Sequence, residues 1–168
     1  MLKMKYLTII ILLFASKSYA QESKQFTIDG KIKNTLSLDL GALKDFKSVK
    51  LDSMVVFNHL MQRKSVIQNI NGVLLKDVLS KVEILSESPK KLSEYYIVCT
   101  ATDGYKVVFS WNEIFNTDLG KHIFVLTSFD VNPSKIEKGN IASISPTDYA
   151  TGRRFVKGLN KISILQVN

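Results

Sequence analysis

"YYIVCTATDGYKVVFSWNEIF", residues 95–115, carries more structural information than any other stretch of this 168-residue chain. Residues 95–101 and 105–110 are rich in β-branched and aromatic side chains, and the Asp-Gly pair between them signals a tight hairpin turn. Ser110 then opens "SWNE", with Glu113 three residues on. In such a capping box the Ser hydroxyl takes an orphan helix N–H, and the Glu carboxylate reaches back to the N–H of the cap residue itself. The stretch therefore predicts strand, tight turn, strand and a short helix through Phe115.

Working outward, 25–33 ("QFTIDGKIK") alternates at Phe26, Ile28 and Ile32 and predicts an early strand, with Gly30 as a kink. "TLSLDLGALKDF" predicts a short strand at Leu36 and Leu38. Asp39 then caps a short helix carrying Leu40, Leu43 and Phe46. "SVKLDSMVVFN" resumes strand character. Gly72 is expected in an Asn-Gly turn, and "VLLKDVLSKV" sets Leu75, Val78, Leu79 and Val82 on one helical face. Residues 86–94 are polar and hold a Pro, which predicts a loop or insertion. "HIFVLTSFDV" predicts another strand, a loop with Pro133 and Gly139 leads to "IASISP", and "KISILQV" closes the chain as a strand. Many short strands and few short helices place the chain in the α+β class, with a mostly β core.

The N-terminus reads as an export signal. Lys3 and Lys5 precede an apolar run from Tyr6 to Ala15, and Ser18 and Ala20 are the small residues that a signal peptidase reads. The apolar run is about half of the roughly 20 residues needed to span a bilayer. Residues 1–20 are thus expected as a Sec-type signal peptide and 21–168 as one periplasmic or secreted domain, with no retained membrane anchor. Removal of the leader takes Lys3, Lys5 and Lys17 and no acid, lowering the formal charge from +8 to +5. That modest, spread excess gives a mild attraction to anionic surfaces. Nucleic acid as a partner would want a clustered basic face with interleaved aromatics.

Cys99 is the single cysteine. It lies in an apolar strand-like run with no cation near it in sequence, so it reads as a buried small hydrophobe and not as a reactive thiol. His59 and His122 are isolated, with no metal-ligand spacing around either. There is no Gly-x-Ser-x-Gly, and neither His has a nucleophile or acid at a recognisable spacing, which leaves hydrolase chemistry without support.

Five segments in order resemble the oxidoreductase molybdopterin-binding domain family, the fold of the sulfite oxidase catalytic domain: "FTIDGKI", "LSLDLGALKDF", "NGVLLKDVL", "TATDGYKVVFSWNEI" and "GRRFVKGLNKISI". The resemblance covers about Phe26 to Val167 and implies a compact α+β domain with a cleft. In catalytic members that cleft holds molybdenum on a pterin dithiolene through a cysteine thiolate, a soft ligand suited to the metal. The corresponding region here, "SMVVFNHLMQRKSVIQNI" (53–70), has no cysteine. His59 is the weak metal-ligand candidate beside the vacant position. The leader has no arginine before its apolar run, whereas export of a folded, cofactor-loaded protein would call for a twin-arginine signal.

Arg153, Arg154 and Lys157 correspond to the segment that contributes basic groups near the pterin phosphate, so the resemblance implies contacts to an anion or to that phosphate. Arg presents a planar fork suited to phosphate or carboxylate. The other reading is that these side chains are solvated, or that one anchors the C-terminal segment to an acid such as Asp148. Phe57 and Phe155 are the apolar side chains that would line or fill the cleft. The sequence-based expectation is an exported non-catalytic binding or accessory module on this fold, without cofactor or catalytic residues, taking a small anion or an envelope protein. The alternatives are a molybdopterin-dependent oxidoreductase with an altered metal ligand and a structural component of an envelope assembly.

Overall fold

The computed structural model describes residues 23–131 and 141–167. The expected leader at 1–20 and the loop holding Pro133 and Gly139 lie outside the described residues. Among the described residues, ten strands form two sheets. The first takes β1 (Gln25–Gly30), β2 (Leu36–Asp39), β6 (Tyr95–Ala101), β7 (Lys106–Ser110) and β10 (Leu159–Gln166), in the order β2-β1-β10-β6-β7. Its pairings are antiparallel except β1 with β10, which run parallel with Ile28 opposite Ile162. The second orders β3 (Val49–Leu51), β5 (Arg63–Leu74), β8 (Phe124–Asp130) and β9 (Ala142–Ile144), and β4 (Met54–Phe57) pairs with the far half of β5. Two short helices, α1 (Leu75–Leu79) and α2 (Trp111–Phe115), and four 3₁₀ segments complete the described residues, a mixed α+β architecture dominated by strands.

Alternation along the strands explains the packing. Phe26 and Ile28 of β1, Ile97 and Cys99 of β6, Phe109 of β7 and Ile162 and Ile164 of β10 share one buried cluster with the α1 residues Leu75, Val78 and Leu79. In β8, Val125 joins that cluster while Phe124 and Leu126 point the other way, into a second cluster with Ile67, Ile70, Phe129 and Phe155. A strand buried on both faces reads as a continuous apolar run instead of an alternating one, which is what "IFVL" shows.

Most local expectations hold. Gly30 ends β1. The short helix expected after Asp39 is a 3₁₀ segment, Ala42–Asp45, that carries Leu43 but neither Leu40 nor Phe46. Its N-cap position is Gly41, and Asp39 Oδ1 accepts from the Ala42 N–H at 2.8 Å from two residues further out. The 95–115 stretch folds as hairpin and capped helix. The Glu113 N–H donates to Ser110 Oγ at 3.1 Å, and the Ser110 N–H donates to Glu113 Oε2 at 2.7 Å.

Two expectations fail. Gly72 is not in a turn: it lies inside the twelve-residue strand β5, opposite Val49 of β3 and Leu126 of β8. Its role is close approach, since a Cβ there would sit 2.7 Å from the Val125 carbonyl oxygen. The irregularity that "NING" encodes falls at Asn69, which has φ of 51° where the β5–β8 register shifts. The polar stretch 86–94 is not wholly loop, because Pro89–Glu94 forms a 3₁₀ helix with Pro at its start, the position where a missing N–H costs nothing.

Candidate functional site

Two segments widely separated in sequence meet beside β4. The 3₁₀ turn Thr151–Arg154 lies against that strand. Thr151 Oγ1 accepts from the Phe57 N–H at 3.0 Å and donates to the Val55 carbonyl at 2.9 Å. Gly152 permits the approach, because a Cβ there would stand 2.8 Å from the Phe57 carbonyl oxygen. Val156 then exchanges backbone hydrogen bonds with Ser143 of β9 at 2.9 and 2.8 Å, which fixes the residues on either side.

The result is an open cleft of about 650 Å³. Phe57, Phe155 and Tyr105 give it apolar surface, and Lys64, His59, Arg153 and Lys157 bring basic groups. No Asp or Glu lines it. Phe155 is packed edge-on against Phe129 at 5.7 Å between ring centroids, and Lys157 Nζ lies 5.3 Å from the Phe155 centroid. Tyr105, just past the hairpin turn, donates its hydroxyl to the Arg153 carbonyl and ties the first sheet to this wall. The phenylalanines line the cleft and leave it open.

The structure separates the three basic residues that the sequence grouped. Arg153 is exposed on the cleft with Lys157, and His59 joins them from the turn after β4. Arg154 faces elsewhere. Its Nε donates to Asp148 Oδ2 at 2.6 Å, its Nη2 to Asp148 Oδ1 at 2.5 Å and its Nη1 to Glu113 Oε1 at 3.2 Å. The guanidinium also lies 4.8 Å from the Phe109 ring centroid. The bidentate bond to Asp148 holds the Arg154 pKa above its ordinary value, against the opposing effect of burial. This is the anchoring role that the sequence left open for one of the three.

Lys64 and Tyr105 went unread in the sequence. Lys64 had a faint signal, a basic pair inside the segment that lacks a cysteine. Tyr105 had none, because only the tertiary fold brings the hairpin turn to this wall.

A molybdenum centre at this cleft would need a soft, ionisable donor. Cys99 is fully buried in β6 among core residues, and burial pushes its thiol up to about 12. The Ser143 hydroxyl beside it opposes that shift and has no hydrogen-bond partner among the described residues, so the S···O contact is a weak one. Among the described residues no three His, Cys, Asp or Glu side chains stand together as metal ligands would. The cleft's donors do not fit a molybdenum centre.

No family model matches the chain. No curated protein matches it either. Among solved structures the chain is similar to the sulfane dehydrogenase SoxCD from Paracoccus pantotrophus, with a TM-score of 0.57 at 12% identity. The similarity covers 84% of this chain and 38% of that one, so this chain spans well under half of its neighbour's length. At that identity the likeness speaks for the fold alone, and it agrees at a coarse level with the architecture expected from the five ordered segments.

Proposed function

We propose that the chain is an exported, non-catalytic binding or accessory module on a molybdopterin-binding oxidoreductase fold, and that its cleft takes a small organic anion. The observation that carries this reading is the cleft's composition: Arg153, Lys157, Lys64 and His59 beside Phe57, Phe155 and Tyr105, with no lining carboxylate. Basic groups interleaved with aromatic surface on both walls suit a carboxylate or phosphate attached to a flat apolar body.

The test is calorimetric titration with benzoate and with inorganic phosphate, on the wild type and on the Arg153→Ala/Lys157→Ala double variant. Benzoate is expected to bind more tightly than phosphate, and the double variant to lose at least about tenfold in affinity for both. Unchanged affinity in the double variant would remove the cleft assignment. Near-stoichiometric molybdenum and pterin in protein purified from its own envelope would overturn the non-catalytic reading and direct attention to His59.

A further inference from the structure

The β4–β5 hairpin carries a feature that the cleft does not use. β8 pairs with β5 only as far as Gln68, so residues 63–67 pair with β4 alone among the named strands. At the tip, the turn 58–62 exposes two large apolar side chains, Leu60 at 62% and Met61 at 53%. An exposed apolar tip usually costs solubility, and a polar turn would have closed the same hairpin.

The turn is nevertheless tightly built around Asn58. Its Oδ1 accepts from the Leu60 N–H at 3.0 Å and the Gln62 N–H at 2.9 Å, and its carbonyl accepts from the Met61 N–H at 3.0 Å. The Asn58 N–H donates in turn to the Gln62 carbonyl at 3.1 Å. Met61 holds a left-handed φ of 60°. Four backbone N–H groups of the tip are therefore satisfied within it while its apolar side chains face out. That lowers the cost of bringing the tip to a bilayer interface, where fewer of its N–H groups must be stripped of water.

The ionisable residues that flank this tip in sequence are all basic. From residue 53 to residue 76 there is no acid, while His59, Arg63 and Lys64 flank Leu60 and Met61, and Arg153 stands across the adjoining cleft. Tyr149, 90% exposed, sits two residues before the Thr151 that ties its loop to β4. An apolar tip, an acid-free basic segment around it in sequence and an exposed aromatic on the adjoining loop are the complement of an anionic bilayer surface.

We propose that the 58–62 turn is a membrane-docking tip that inserts Leu60 and Met61 among the acyl chains of an anionic phospholipid surface, with Arg63 and its basic neighbours at the headgroups. Docking would set the mouth of the cleft at the membrane interface. The proposal stands whether or not the cleft binds an anion.

The experiment is co-sedimentation of the protein, as its own cells export it, with phosphatidylglycerol-rich and with pure phosphatidylcholine vesicles. Binding is expected only to the anionic vesicles and is expected to fall with added salt. Leu60→Ser/Met61→Ser is expected to weaken it at least about tenfold, and Arg63→Gln roughly fivefold. Both variants should keep the wild-type melting temperature.

Equal sedimentation of the Leu60/Met61 variant, or binding to neither vesicle, would overturn the proposal. So would full competition by inorganic phosphate at constant ionic strength, which would place the headgroup in the cleft instead of at the tip. Self-association without vesicles that the double variant abolishes would make the tip a contact between copies of this chain.

Discussion

Glu113 and Arg154, forty-one positions apart, share one carboxylate with a helix cap. Glu113 Oε1 accepts from Arg154 Nη1 at 3.2 Å while Oε2 accepts from the Ser110 N–H at 2.7 Å. The capping box of α2 is thus also an anchor for the turn that builds the cleft. Asp148 completes the cluster, and Ser145 Oγ donates to Asp148 Oδ1 at 2.9 Å.

Arg154→Ala is expected to destabilise the fold by about 2 kcal/mol, below the roughly 3–5 kcal/mol of a fully buried broken pair. The discount reflects the 23% of its side chain that remains exposed. Arg153→Ala should change stability by less than about 0.5 kcal/mol, as surface substitutions usually do. Urea denaturation of the two single variants distinguishes neighbours that look alike in sequence. A Glu113→Gln/Arg154→Met double-mutant cycle should give a coupling of about 1 kcal/mol, typical of a partly exposed pair.

Gly152→Ala keeps every cationic side chain but drives a Cβ to 2.8 Å from the Phe57 carbonyl oxygen. It is expected to destabilise by about 1–3 kcal/mol through overpacking. It should also weaken benzoate binding, because the Arg153 wall must move off β4. Retained affinity in a folded Gly152→Ala protein would show that the wall's position is unimportant to the ligand.

Gly72→Ala tests the reassignment of that residue from turn to strand. A turn glycine with an ordinary φ would accept alanine, whereas here the Cβ meets the Val125 carbonyl oxygen at 2.7 Å. A loss of about 1–3 kcal/mol is expected on denaturation.

Cys99 sets a pH dependence. Burial raises its thiol from 9.0 to about 12 in the folded chain. Between those values the unfolded chain releases a proton that the folded chain keeps. Stability from this group is therefore fully present below about pH 9 and falls as pH rises, by about 1.4 kcal/mol per unit. Cys99→Ala should remove that component, leaving a shallower alkaline decline that urea titrations at pH 8 to 10 can compare. Native Cys99 should also resist a water-soluble thiol reagent at pH 8 and react on unfolding.

The stretch 95–115 was legible because its determinants are local. A two-residue turn signal and an i, i+3 cap need no distant partner, and Ser110 and Glu113 adopt the pairing that their spacing dictates. β5 was not legible in the same way. Gln68, Asn69 and Asn71 interrupt its apolar pattern, and "NG" imitates a turn. Pairing with β3, β4 and β8 overrides that local signal, and the Asn71 side chain finds a partner in Ser128 Oγ at 3.0 Å.

By itself the sequence determined the α+β class, the hairpin and its capped helix, the inert buried cysteine and the absence of a thiol from segment 53–70. These follow from composition, periodicity and short-range hydrogen bonding. Tertiary structure alone decided what the Arg153–Arg154 pair does. A 3₁₀ turn has three residues per revolution, so adjacent side chains leave it about 120° apart. One guanidinium is delivered to the acids of α2 and the 145–148 loop, and the other to a cleft whose opposite wall lies ninety residues earlier in the chain.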